Sequence, residues 1–239
     1  RRTLILFSIR GMCLVIAMYF FFVALASLPL STVVSIFFIS PLLITFLSSI
    51  VLNERIGIHR VTSVITALIG VMFVMKPGTS EFHPEMLLAF GSAVSYAIFQ
   101  IFTRSLKSDG NLPALITIQH LCYFFSALPL LAFNWSGGLS STGNMSFDFL
   151  LRGTVSLTLT EIIYISICAG AVLFLSLASS FAYRNVEASL IAPFEYIAIP
   201  VSVVWGIVIW GDYPSSSAWV GMGLIIASGI YVIYRERVN

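Results

Sequence analysis

The sequence has few charges for its length. Of 239 residues, 12 are Lys or Arg and 10 are Asp or Glu, which together make 9 %. A soluble domain carries roughly 25 % charged residues, because its surface is in contact with water. Apolar residues reach 59 %, and the charges lie at the edges of long uncharged runs. This pattern excludes an ordinary soluble protein and indicates a chain whose solvent is lipid.

Other features needed for common functions are also missing. The three cysteines, Cys13, Cys122 and Cys168, are far apart within apolar runs, so neither a disulfide framework nor a zinc site is expected. A net charge of +2 without a basic stripe argues against nucleic acid as a partner. The sequence contains no phosphate-binding loop, nucleophile elbow or His-Glu-x-x-His zinc helix. We therefore expect no cofactor, no metal and no catalytic residue.

Eight apolar segments are long enough to cross a bilayer, since a transmembrane helix needs roughly 17 to 25 residues. Helix is the expected conformation, because isolated strands leave backbone groups unpaired in lipid. The Gly- and Ser-rich segment 134–160 is expected to be a solvated loop, with residues 147–151 at the membrane interface. The predicted spans, one to eight, are 11–28, 31–52, 58–75, 84–103, 113–133, 161–182, 187–210 and 216–234.

The basic residues are distributed unevenly about these spans. If the spans alternate in direction, Lys76 and Arg152 fall on one side and the other ten basic residues on the opposite side. Basic residues accumulate on the cytoplasmic side of membrane proteins. The asymmetry therefore supports the span count and predicts that both termini are cytoplasmic. The ten are Arg1, Arg2, Arg10, Arg55, Arg60, Arg104, Lys107, Arg184, Arg235 and Arg237.

Spans one to three resemble spans six to eight. Residues 24–31 align with 182–189, and at the same offset Asn53-Glu54 aligns with Gly211-Asp212. Five spans separate each residue from its counterpart, and an odd number reverses direction in the membrane. The sequence therefore predicts an inverted repeat, which is typical of transporters that rock about a site near the bilayer midplane.

The ordered set of short motifs resembles the EamA type of the drug/metabolite transporter superfamily. In the first copy, span one ends in Ala-Leu-x-x-Leu-x-x-Ser, span two carries a central proline and ends in Asn-Glu-Arg, and span three has a late glycine. The second copy has Ala-Ser-Leu-Ile-Ala-Pro-Phe-Glu-Tyr at 188–196 and Trp-Gly-Asp at 210–212, followed by another late glycine. The matching single positions are Pro41, Asn53, Glu54, Arg55, Gly70 and Gly229.

This resemblance implies an all-α, polytopic transmembrane helix bundle. It implies a parent of ten spans built as five plus five, of which eight are present, with two more expected before Arg1. Residues 1–78 then hold the remainder of the first repeat and 84–237 the second. The implied fold belongs to a multi-pass protein of the bacterial inner membrane, in contact with lipid and a small solute. Whether it forms a homodimer stays open.

The function implied by the resemblance is secondary transport of small metabolites, such as amino acids, amines or related compounds, by alternating access. Proton coupling is one option for its energy source. Two other classes stay open on the sequence alone. An intramembrane enzyme would need a catalytic motif that the sequence does not contain, and a channel or scaffold is disfavoured by the inverted repeat.

Among the spans, one carboxylate lies well away from an end. Glu195 is eight residues into span seven, roughly 12 Å deep at 1.5 Å per residue. A charge at such depth is costly, so it is typical of a solute pathway or proton relay. Alternatively, Glu195 is simply hydrogen-bonded at the wet end of its helix. Three prolines, which remove backbone donors, are the candidate helix hinges: Pro41, Pro193 and Pro200.

Further polar residues lie at a similar depth. Tyr96 and Gln100 are one turn apart on span four and share a face. His120 and its neighbour Gln119 are on span five, and Tyr196 follows Glu195. Together these residues predict a site for binding a solute or a proton. The alternative is that His120 and Gln100 form hydrogen bonds that join helices.

Overall fold

The structure, a computed structural model, is helical throughout the residues it describes, with no strand among them. The described residues are 2–51, 58–76, 82–106, 111–138, 143, 145–153, 156–186, 195 and 198–238. The helices are α1 (Arg2–Leu25), α2 (Leu30–Phe37), α3 (Ser40–Val51), α4 (Ile58–Met75), α5 (Met86–Ser105), α6 (Leu112–Trp135), α7 (Met145–Leu151), α8 (Leu159–Asn185), α9 (Ala198–Trp205) and α10 (Ser216–Val238), with a π-helix at Gly206–Trp210 between the last two.

The apolar helices correspond to the predicted spans. Five segments of 21 to 27 residues are long and apolar enough to cross a membrane, and three shorter apolar helices accompany them. The expectation of an all-α, polytopic membrane bundle is confirmed. The short helix α7 falls in the predicted interfacial segment.

Span one begins earlier than the sequence analysis placed it. The prediction started it at Gly11, whereas α1 begins at Arg2. Apolar side chains continue on the amino-terminal side of Arg10, so nothing ends the helix there. Arg10 consequently lies within the helix, where its side chain is fully buried.

Span two is interrupted, although the prediction made it one helix. Helix α2 ends at Phe37 and α3 begins at Ser40. The physical reason is Pro41, which has no N–H to bond the carbonyl of Phe37 four residues back. The chain tightens there instead, with the Leu42 N–H bonding the carbonyl of Ile39 at 3.1 Å. Pro41 itself sits in the first turn of α3, where proline is tolerated.

The core forms around closely crossing helices. Helix α4 packs along α10, and α1 packs along α5 and α6. Gly70 and Gly221 bring the backbones of α4 and α10 close together, since a Cβ atom at Gly70 would lie 2.7 Å from the carbonyl oxygen of Gly221. The sequence analysis proposed no partner for Gly221. Small residues at such crossings let helix backbones approach in lipid.

Two pairs of predicted repeat counterparts are in contact. Helix α4 of span three packs on α10 of span eight, and α2 of span two packs on α9 of span seven. Contacts between counterparts are expected near a pseudo-two-fold axis. The boundaries of the two repeats stay a prediction.

Helix α8 has the smallest buried fraction of the long apolar helices that the structure describes. It begins with a capping box in which Glu161 Oε2 accepts from the Thr158 N–H at 2.7 Å. Of its 27 residues, only Ser180 and Tyr183 are buried. Both residues lie in its last two turns, where α8 meets α5 and α6.

Candidate functional site

The Glu195 carboxylate is held by two tyrosines from two different helices. Tyr96 of α5 donates its hydroxyl to Glu195 Oε1 at 3.1 Å, and Tyr183 of α8 donates to the same oxygen at 2.8 Å. Hydrogen bonds donated by hydroxyls favour the charged form of a carboxylate over its neutral form. The second oxygen, Oε2, accepts no hydrogen bond from the residues that the structure describes.

Gln100 extends this cluster along α5 toward α8. Its Nε2 donates to the Tyr96 hydroxyl at 2.7 Å and to Ser179 Oγ of α8 at 3.3 Å. Gln100 is fully buried, yet its Oε1 has no hydrogen-bond partner in the described part of the chain. A buried acceptor without a partner is costly, so it suits a donor brought by a ligand or water.

A second cluster surrounds Arg10 of α1. Its guanidinium donates from Nε to Thr103 Oγ1 at 2.7 Å, from Nη1 to Gln119 Oε1 at 2.9 Å and from Nη2 to Ser180 Oγ at 2.9 Å. The Arg10 Cζ atom also lies 4.1 Å from the centroid of the Phe99 ring. Arg10 therefore joins four helices, α1, α5, α6 and α8.

Helix α8 connects the two clusters. Ser179 accepts from Gln100 of the Glu195 cluster, and the next residue, Ser180, accepts from Arg10. Ser176, one turn earlier, accepts from Gln119 Nε2 at 3.1 Å. We call the Glu195 cluster, the Arg10 cluster and the α8 serines that connect them the polar seam. It brings a carboxylate and a guanidinium into one region of an apolar bundle.

The predicted site residues divide into three groups. Glu195, Tyr96 and Gln100 are in direct contact, and Gln119 belongs to the Arg10 cluster. His120 is not brought to either cluster by a described contact, since its Nδ1 bonds the carbonyl of Ile116 on its own helix at 2.9 Å. Outside the described residues lie Tyr196, Pro193 and the side chain of Pro200.

Arg10 and Tyr183 are the two large side chains of the polar seam that were missed from the sequence, together with the smaller Thr103, Ser176, Ser179 and Ser180. Arg10 was assigned to the cytoplasmic edge because the predicted span began one residue later. Tyr183 lies close to the end of span six, beside Arg184, where a tyrosine is typical of the membrane interface. The available signal for Arg10 was the run of apolar residues on both of its sides.

The chemistry of the seam is that of binding. It offers a carboxylate, a guanidinium, hydroxyls and amides within an apolar surrounding, where such groups interact strongly. Within the described ranges, no group of three or more His, Cys, Asp or Glu residues is placed to hold a metal ion.

Comparison with known proteins agrees with this arrangement. Residues 2–76 match the EamA-like transporter family. The chain is 26 % identical to the S-adenosylmethionine uptake transporter of Rickettsia bellii, over 96 % of this chain and 72 % of that protein. It is 25 % identical to the riboflavin transporter of Vibrio cholerae, over 87 % of this chain and 64 % of that protein.

A solved crystal structure has the same fold. It superimposes with a TM-score of 0.61 at 17 % identity, covering 98 % of this chain and 87 % of the other. The apolar helices and the relatives together indicate a multi-pass membrane transporter of small metabolites. The chain is similar to EamA-type transporters of the drug/metabolite transporter superfamily, and the family match lies in residues 2–76.

Proposed function

We propose that the chain is a secondary carrier that moves a small metabolite by alternating access. In this proposal Glu195 binds either a polar or cationic group of the solute or a coupling proton. The observation that carries this proposal is the Glu195 carboxylate, held by Tyr96 and Tyr183 from two different helices inside a membrane bundle. An ionisable group at such a position is costly to keep and is typical of transport pathways.

The solute class that we propose is amino acids, amines and related compounds. S-adenosylmethionine, which names several relatives, belongs to this class because it carries an amine, a carboxylate and a positive sulfur. Riboflavin, which names others, has neither an amine nor a carboxylate side chain. A carboxylate such as Glu195 favours the first kind of solute over the second.

We place the protein in the bacterial inner membrane, with both termini in the cytoplasm. The support is the charge asymmetry: apart from Arg10, which lies within a span, nine of the remaining 11 basic residues fall on one side of the alternating spans. Residues 1–78 and 84–237 are proposed as parts of two inverted repeats. Their rocking about the polar seam would expose Glu195 to each side in turn.

The test uses the purified chain in proteoliposomes, loaded with unlabelled S-adenosylmethionine or riboflavin and supplied with the labelled compound outside. A carrier gives uptake that saturates and is accelerated by counter-substrate, whereas a channel gives neither. We expect this behaviour for S-adenosylmethionine and its loss in Glu195→Gln. The matched control is Glu85→Gln, because Glu85 precedes α5 and makes no capping hydrogen bond.

The pH dependence separates the two roles of Glu195. If this residue carries the coupling proton, Glu195→Gln abolishes the change of transport rate with pH as well as accumulation driven by a pH gradient. If it binds the cationic group alone, the variant loses affinity for the solute at every pH. Wild-type transport by Glu195→Gln across the whole pH range would contradict both roles.

A further inference from the structure

The guanidinium of Arg10 is buried, and its partners among the described residues are all neutral. Its three described hydrogen bonds go to a threonine, a glutamine and a serine, and no carboxylate of the described residues pairs with it. Removing a charge from water costs several kcal/mol, which neutral acceptors only partly offset. A membrane bundle that keeps such a group near its polar seam calls for a function that needs the positive charge.

The hydrogen-bond inventory of Arg10 leaves room for one more partner. A guanidinium has five N–H donors, and three of them bond Thr103, Gln119 and Ser180. The two that remain are one on Nη1 and one on Nη2. Two such donors match the two oxygens of a carboxylate, which arginine binds in a forked arrangement.

Complementary acceptors lie in the neighbouring Glu195 cluster. Gln100 Oε1 is buried without a partner, and Glu195 Oε2 accepts no hydrogen bond from a described residue. Acceptors next to a carboxylate suit an ammonium group, which has three donors. This cluster is therefore suited to a cation, whereas Arg10 is suited to an anion.

The two clusters are neighbours, because both contain residues of α5 and adjacent serines of α8. Arg10 Cζ lies 4.1 Å from the centroid of the Phe99 ring, and this centroid lies 5.9 Å from that of the Tyr96 ring. The guanidinium is therefore within about 10 Å of the Tyr96 ring, whose hydroxyl bonds Glu195. Helix α8 closes both clusters through Ser179 and Ser180. Because α8 closes both clusters, its displacement would uncover both charges together.

We propose that Arg10 is an anion subsite that binds the carboxylate of the transported solute, while Glu195 and Gln100 bind its amine. The site then selects solutes that carry both groups. This inference rests on the proposed function and adds to it a residue and a requirement for a carboxylate.

The test compares amino acids with the amines formed when their carboxylates are removed. Proteoliposomes containing the purified chain take up labelled L-methionine, L-tyrosine or L-lysine, or the paired amine. We expect the wild type to prefer the amino acids. In Arg10→Gln, uptake of the amino acids falls about tenfold or more, because a hydrogen-bonded charge pair is lost. Uptake of the amines stays within about twofold of the wild type, since their binding does not involve Arg10.

Two further variants guard this test against a folding defect. Arg10→Lys keeps the positive charge but lacks the planar fork, so we expect an intermediate loss of amino acid uptake. Arg104→Gln is the matched control, because Arg104 bonds backbone carbonyls at the end of α8, outside both clusters. We expect Arg104→Gln to keep the wild-type ratio of amino acid to amine uptake.

The outcomes are distinct. If Arg10→Gln lowers amino acid and amine uptake in the same proportion, Arg10 only joins helices and the proposal is overturned. Equal uptake of amino acids and amines by the wild type also overturns the proposal. It is likewise overturned if the wild type takes up neither amino acids nor amines but still exchanges S-adenosylmethionine. In these two cases the carrier function stands. Absence of saturable exchange for every compound instead overturns the carrier function together with the subsite.

Discussion

At the residue scale, the Glu195 carboxylate depends on donors that come from other helices. Tyr96 and Tyr183 both bond Oε1, and Tyr183 is almost completely buried. Two hydroxyl donors keep the charged form of a carboxylate in an apolar place and fix the direction of its other oxygen. The tyrosines therefore position Glu195, although neither is itself charged.

Removing one of these donors is expected to weaken solute binding. Tyr183→Phe keeps the ring, which packs against Ile44, Ala97 and Ile101, and deletes only the hydroxyl. A hydrogen bond to a charged group contributes roughly 1.5–3 kcal/mol, so we expect KM for exchange to rise about tenfold or more. The measurement is the concentration dependence of uptake in proteoliposomes. Tyr164→Phe, an exposed position on the same helix, is the control, and an unchanged KM in Tyr183→Phe would count against the role of this hydroxyl.

Part of this site is predictable from the sequence. Depth within a span led to Glu195, and helical spacing placed Tyr96 and Gln100 on one face; the structure brings all three together. Arg10 was missed because basic residues usually mark the ends of spans, and this one does not. The rotation of a helix about its axis, which decides whether His120 can reach Glu195, is set by packing against other helices and is not encoded in span length.

At the element scale, span lengths follow directly from the thickness of the bilayer. Helix α4 has the predicted bounds, and α5 and α6 differ from theirs by one or two residues. Interruptions are harder to predict, because they depend on single backbone groups. The break before Pro41 and the π-helix at Gly206–Trp210 are examples. The latter ends at Gly211, whose φ of 71° lies in the left-handed region that favours glycine.

The crossing of α4 and α10 should be sensitive to the size of one residue. A Cβ at Gly221 would collide with the carbonyl oxygen of Gly70 and lie 2.7 Å from Val74 Cγ2, whereas a Cβ at Gly223 would meet nothing within 4 Å. We expect Gly221→Leu to lower the free energy of unfolding by about 1–3 kcal/mol, since overpacking forces helices apart. Gly223→Leu should have little effect.

Thermal denaturation in detergent, followed by loss of the monodisperse species, measures both variants. Equal stability of Gly221→Leu and Gly223→Leu would show that α4 and α10 do not cross at Gly70. The four-residue spacing of Gly223 and Ala227 is typical of a packing pair, but the structure leaves open space at Gly223. Spacing alone identifies small residues but not the face that a helix turns inward.

At the scale of the whole molecule, three features support the proposed carrier. Most basic residues fall on one side of the predicted alternating spans, predicted repeat counterparts pack against each other, and α8 closes the polar seam. A carrier needs a site that is reached from both sides but never from both at once. The central claim is therefore that the polar seam opens alternately to the two faces of the membrane.

The most direct test is the accessibility of Ser179, which lies in the polar seam between the two clusters. Cys13, Cys122 and Cys168 are first replaced by alanine, and Ser179→Cys or Gly170→Cys is then introduced. Gly170 is the control, since it lies on the same helix and faces outward with nothing near it. A charged, impermeant maleimide is applied to one face of the membrane at a time. We predict that Ser179→Cys reacts with the maleimide from either face of the membrane, whereas Gly170→Cys reacts from neither. Reaction of Ser179→Cys from only one face, or from none, would contradict alternating access through the polar seam.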